Sequence, residues 1–186
     1  MQHHAGEAQG EVLGFWFAPG MEEKWFVKDA AFDDEVRRRL SVHYEKAAAG
    51  RYGAWCGTPR GCLALCILLD QAPRNIFRDD LRDYATDAAA LAVACHAIAE
   101  GFDRALTQRE RAVLYLPLEH SEDLAHQEHC VRLMRELDED PRWCDFAERH
   151  RDIIARFGRF PHRNAVLGRQ TSAAEAGFLE EPDSSF

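Results

Sequence analysis

Along most of the chain, apolar residues recur at spacings of three and four between short polar stretches, and this pattern predicts helices throughout. In AAFDDEVRRRLSVHYEKAAAG, Phe32, Val36, Leu40, Val42 or His43, and Ala47 fall at helical spacing, and Gly50 supplies the stop. Thr58 before Pro59 reads as an N-cap with proline at the first helical position. The helix it opens runs through RGCLALCILLDQ and is apolar nearly all round, which places it at the centre of the fold. It is expected to end before Pro73, because a residue preceding proline is biased away from helical geometry. An alanine-rich helix over 86–100 closes at Gly101. TQRE at 107–110 fits a capping box in which Glu110 answers Thr107. Pro117 is expected to interrupt that helix, with a new one starting at Ser121 as N-cap and carrying Leu124, Leu133, Met134 and Leu137. Asp140-Pro141 repeats the cap-plus-proline start for a helix that reaches Phe157 before Gly158, and SAAE at 172–175 opens a short last one.

No sustained period-two strand and no Asn-Gly hairpin turn interrupts this series. The expected fold is all-α, with seven to eight antiparallel helices packed as helical hairpins in a single domain over 1–186. Residues 1–8 are expected to form a disordered start and 181–186 a frayed tail. Trp16, Trp25, Phe26 and Trp55 are expected to fill the core.

Composition narrows the function classes. A net charge of -9 and a pI near 5.5 argue against general nucleic-acid affinity, which needs a clustered cationic face. The strongest apolar run, LALCILL at 63–69, is far short of the roughly 20 residues that span a bilayer. The start MQHHAGEAQG lacks the basic-then-apolar order of a secretory signal, so the expected location is cytoplasmic with no membrane partner. Six cysteines form no C-x-x-C pair and are expected to be reduced, small apolar residues.

One stretch runs against the acidic background. RFGRFPHRNAVLGR at 156–169 places Arg156, Arg159, Arg163, Arg169 and His162 within fourteen residues that include no acid. Together with LLDQAPRNIFR at 68–78 and YLPLEHSE at 115–122, this segment resembles the signatures of the bacterial domain of unknown function 924 family. VLGFWF and KWFVKDAAFDDEVRRR match the family's start, and the resemblance extends over essentially 11–180. It implies a tetratricopeptide-like helical array. The family has no established biochemical activity, so no catalytic residue carries over. Glu119 stands where an apolar residue, often methionine, is usual in the family.

Each of the three motifs falls at a helix boundary, where backbone groups lack helical partners. One reading is structural: Arg74 or Arg163 forks onto Asp70, Glu119 or Glu122, and the asparagines close local turns. The other brings the three bends to one cleft. There Arg74, Asn75, Arg78, Arg159, Arg163 and Asn164 would bind a carboxylate or phosphate, with more arginines than nearby acids. His120 and His162 would transfer protons, with Glu119 or Glu122 setting their tautomers. Glu122, His126 and His129, at i, i+4 and i+7, are the candidate metal ligands, but their spacing matches no recognised motif, and no metal or cofactor is expected. Ser121 lacks a glycine elbow, and no cysteine sits beside a base that would activate it. The partner is therefore expected to be an anionic small molecule, or an acidic peptide docked on a helical-hairpin scaffold. The sequence names no reaction and no oligomeric state.

Overall fold

The Thr58 hydroxyl accepts from the Gly61 amide and Pro59 occupies the first turn, so the central helix begins where the sequence places it. The structure, a computed structural model, describes residues 2–182 and 184, with side chains from residue 6 onward. Its helices are α1 (Gln2–Trp16), α2 (Ala30–Ala48), α3 (Pro59–Cys66), α4 (Ala72–Ile76), α5 (Asp87–Ala99), α6 (Gln108–Glu119), α7 (Leu124–Met134), α8 (Arg142–Phe157) and α9 (Ala173–Leu179). No strand occurs among the described residues, and the fold is all-α. α1 reaches back into the stretch expected to be disordered. Of the expected frayed tail, residues 183, 185 and 186 lie outside the described residues.

The expected stop before Pro73 is corrected. α3 passes through a π turn, Ile67–Gln71, directly into α4, with Pro73 in the first turn of α4 and Ala72 in helical geometry. Two features make this possible. The Ala72 amide reaches back five residues to the Ile67 carbonyl. Pro73 has no N–H for the Leu69 carbonyl four residues back, and the Thr86 hydroxyl donates to that oxygen at 2.6 Å instead. The proline bias is local, and a tertiary donor overrides it.

The expected interruption at Pro117 is also corrected. α6 continues through it to Glu119, and the His120 amide still bonds the Leu116 carbonyl at 2.9 Å. Tyr115, Leu114 and Leu118 beside the proline are fully buried. Side chains of that size stabilise by about 1.5–3 kcal/mol each on burial, enough to offset the roughly 3 kcal/mol cost of one interior proline. Ser121 does not cap the next helix. Asp123 does, accepting from the Ala125 amide, while the Ser121 hydroxyl accepts from the Asp123 amide and bonds His126 Nδ1.

The rod from α3 to α4 is the core. α1, α5 and α6 pack on α3, α2 lies along α4, and α6, α7 and α8 follow as consecutive neighbours. The capping boxes at Thr107/Glu110 and Ser172/Glu175 form as the sequence predicts, and Gly50, Gly101 and Gly158 end their helices at positive φ. Trp16, Trp25 and Trp55 are buried, but Phe26 is exposed. Among the described residues, no helix is long and apolar enough to cross a membrane.

Candidate functional site

Because the helix does not stop at Pro73, Asp70 stays inside the molecule, one turn before Arg74. Its carboxylate is fully buried and faces His120 Nδ1 at 2.8 and 2.9 Å from its two oxygens. It also accepts from Arg74 Nη2 at 3.2 Å and from the Gln71 side-chain amide. Burial alone would raise the Asp70 carboxyl, but His120, Arg74 and Gln71 more than offset it and hold it below the usual carboxylate range. Burial pushes His120 the other way, below the ordinary imidazole value. At neutral pH the pair is therefore an ionised Asp70 and a neutral His120, with the ring proton on Nδ1 and the lone pair on Nε2.

The third bend joins this pair directly. Arg163 Nη1 donates to the His120 carbonyl at 3.1 Å and lies 3.5 Å from Asp87. Its guanidinium sits 4.4 Å from the Phe160 ring centre and 4.8 Å from that of Tyr84. Arg163 is 6% exposed, and its Nε is buried with no hydrogen-bond partner. The expected surplus of arginine over acid is corrected. Arg74 is held by Asp83 at 3.0 Å and Asp87 at 3.1 Å as well as by Asp70, three acids on one guanidinium.

A second buried pair adjoins the first. Glu119 and His150 are each 4% exposed, with Glu119 Oε1 at 3.5 Å from His150 Nδ1. Burial pushes Glu119 up to about 8, with the charge of Asp70 adding to the effect, so Glu119 is mostly protonated at neutral pH. His150 Nδ1 donates to the Phe146 carbonyl one helical turn back at 2.8 Å. The His120 and His150 ring centres are 6.1 Å apart.

Of these groups, Arg74, Glu119, His120, His150 and Arg163 line one cavity of about 540 Å³, whereas Asp70 and Asp87 do not. Of the residues expected in the cleft, Arg74, Asn75, Arg78, His120, His162 and Arg163 line it, whereas Glu122, Arg159 and Asn164 do not. Glu122 clips the 158–169 loop, accepting from the Phe160 amide at 2.8 Å and from Arg169 at 2.7 and 3.0 Å. Arg159 forks onto Glu175 at 2.6 and 2.8 Å, and the buried Asn164 accepts from Arg169 Nε. Arg78 and Asn75 line the wall but are committed to Asp33, which docks α2 on α4. The candidate ligands Glu122, His126 and His129 do not gather: Glu122 is on Arg169 and His126 on Ser121. Burial drives the Cys62 thiol up to about 11, which keeps it from serving as a nucleophile.

Sequence reasoning missed His150, Asp83 and Asp87. His150 shares the buried stripe of α8 with Ala147, Ile153 and Ile154, which marks it as inward-facing. Asp83 lies in an exposed-looking connector and Asp87 at the first residue of α5, and nothing local shows that they fold back onto Arg74. Exposed residues of both kinds line the cavity: Phe26, Val27 and Phe146, 59%, 55% and 38% exposed, and the ion pair of Lys28 with Asp79.

Comparison with known proteins agrees with this architecture. Residues 12–183 match the profile of a family described as bacterial protein of unknown function, DUF924. A solved structure, the protein of unknown function ATU0120 from Agrobacterium tumefaciens, is 40% identical with a TM-score of 0.89. That alignment covers 95% of this chain and 98% of the other. No curated protein matches.

Proposed function

The chain belongs to the DUF924 family of bacterial proteins of unknown function, and from the geometry of its cleft we propose that it binds a small molecule bearing an anionic group and an apolar body. The observation that carries this reading is the 540 Å³ cavity, a size suited to a metabolite, with Arg163 in its wall. Arg163 is the anchor because it lines the cavity with only one carboxylate near it, Asp87 at 3.5 Å, whereas Arg74 is held by three and Arg78 is bonded through two of its nitrogens to Asp33. The apolar side chains of Phe26, Val27 and Phe146 in its lining suit the uncharged part of such a ligand. Beneath the anchor, His120 can exchange a proton at Nε2 while Asp70 holds its tautomer, and Glu119 can donate one. His162 lines the wall without the basicity for that role, since burial lowers it to about 3. Acid/base chemistry on the bound molecule belongs to the proposal, as does a cytoplasmic setting. The rival is a tetratricopeptide-like scaffold for an acidic peptide; it calls for an open groove along several helices, and the cavity favours the small molecule.

Thermal unfolding in the presence of inorganic phosphate, phosphomonoesters and small mono- and dicarboxylates tests the reading. At least one class is expected to stabilise the wild type, with the effect lost in Arg163→Ala and partly kept in Arg163→Lys, helical circular dichroism unchanged. No stabilisation by any class, or an equal shift in Arg163→Ala, contradicts it.

A further inference from the structure

The cavity changes character along its length. α6 and α8 lie side by side and run the same way. At one end the Gln108 side-chain amide donates to Asp138 at 2.6 Å and Arg109 pairs with Glu139 at 3.6 Å, just ahead of α8. At the other end Glu119 stands 3.5 Å from His150. Along both helices the lining turns from apolar to polar in the same sense. α6 contributes Ala112, Val113 and Leu116 before Glu119 and His120, and α8 contributes Trp143 and Phe146 before its first polar lining residue. From Ala112 to His120 the lining spans about 12 Å, at about 1.5 Å of rise per residue. The facing wall is mixed, with Trp25, Phe26 and Val27 beside the Lys28–Asp79 ion pair.

Ala112, Val113 and Leu116 are 5%, 2% and 5% exposed and yet line the cavity, as does the buried Met134 of α7. An apolar group that reaches them leaves water and gains close contacts on several sides. The polar end offers one anchor. Arg163 donates to the His120 carbonyl at 3.1 Å and has Asp87 at 3.5 Å, whereas the three acids around Arg74 leave that guanidinium no charge to spare. A head with a single negative charge therefore suits this end better than a phosphate dianion. Glu119, which burial keeps mostly protonated at neutral pH, can donate a hydrogen bond to an oxygen of such a head.

Resting on the anion reading above, we propose that the molecule taken up is a medium-chain monocarboxylate. Its carboxylate is held at Arg163, and its hydrocarbon chain lies along α6 and α8 toward Ala112. A carbon zigzag with bonds of about 1.5 Å advances about 1.3 Å per bond, so a chain of about eight to ten carbons reaches from one end to the other.

Calorimetric titration of the full-length protein with butanoate, hexanoate, octanoate, decanoate and dodecanoate tests this, with 1-octanol alongside. Each added methylene is expected to tighten binding about three- to fourfold as far as octanoate, with no gain from decanoate to dodecanoate. Octanol is expected to bind at least about tenfold more weakly than octanoate, and Arg163→Ala to erase that difference. Ala112→Leu narrows the apolar end and is expected to weaken octanoate at least about tenfold while leaving butanoate within about twofold. Circular dichroism checks the fold of both variants, and the wild-type series decides the matter without them. Equal affinities along the series, or full octanoate binding in a folded Ala112→Leu, overturn the chain assignment and leave the anion reading in place. Octanol binding as tightly as octanoate to the wild type overturns the carboxylate head and the anion reading with it, and so does an absence of binding by every carboxylate.

Discussion

At Asp70 a single buried carboxylate serves His120, Arg74 and Gln71, and its removal strands the His120 imidazole and takes one of three acids from Arg74. Asp70→Ala is expected to lower stability by about 3–5 kcal/mol, the cost of breaking a buried pair, as read from urea denaturation. A loss under about 1 kcal/mol would mean that Asp83 and Asp87 hold Arg74 without it. His162 gives a pH signature. Burial, reinforced by the charges of Arg163 and Arg74 and opposed by Glu122, lowers it from 6.5 to about 3. Between those values the unfolded chain takes up a proton that the native one refuses, so stability falls as pH drops through that window. His162→Gln is expected to flatten the stability–pH slope between pH 6 and pH 4; parallel curves for wild type and variant would refute the assignment. Asp70 and Arg74 were legible as an i, i+4 pair only if the helix was known to pass through Pro73.

That continuity belongs to the elements. Capping boxes and glycine stops were readable because each is settled within four or five residues of chain, as at Thr107/Glu110 and Gly158. The two prolines misled because their cost is met from elsewhere: a hydroxyl 17 residues away for Pro73, and the burial of neighbouring leucines for Pro117. Thr86→Val keeps the shape of the side chain but removes the donor to the Leu69 carbonyl, and it is expected to destabilise by about 1–3 kcal/mol. Calorimetric unfolding that shows no loss would mean that water or the backbone satisfies that oxygen. At the start of the same rod, a Cβ on Gly61 would stand 2.0 Å from the Trp55 carbonyl oxygen, a backbone atom that cannot swing aside. Gly61→Ala is expected to cost about 1–3 kcal/mol, measured the same way, through overpacking of the α3 N-terminus.

In the whole molecule, three bends distant in sequence share one cavity: Asp70 contacts His120, and Arg163 contacts the His120 backbone. The clustering of guanidinium and imidazole in three motifs pointed to this region. Which arginine is available did not follow from sequence, because the aspartates that occupy Arg74 and Arg78 arrive from α2, the connector at 81–83 and α5. The motif arginines were also not equivalent: Arg159 and Arg169 turned out to brace the loop that presents Arg163. The central claim is that this cavity is a ligand site, and histidine side-chain NMR tests it most directly. Inorganic phosphate or succinate, titrated into the wild type, is expected to move the His120, His150 and His162 resonances along one saturating curve while His43 and His96 stay still. Resonances that do not move, or that all drift together without saturation, would contradict the account.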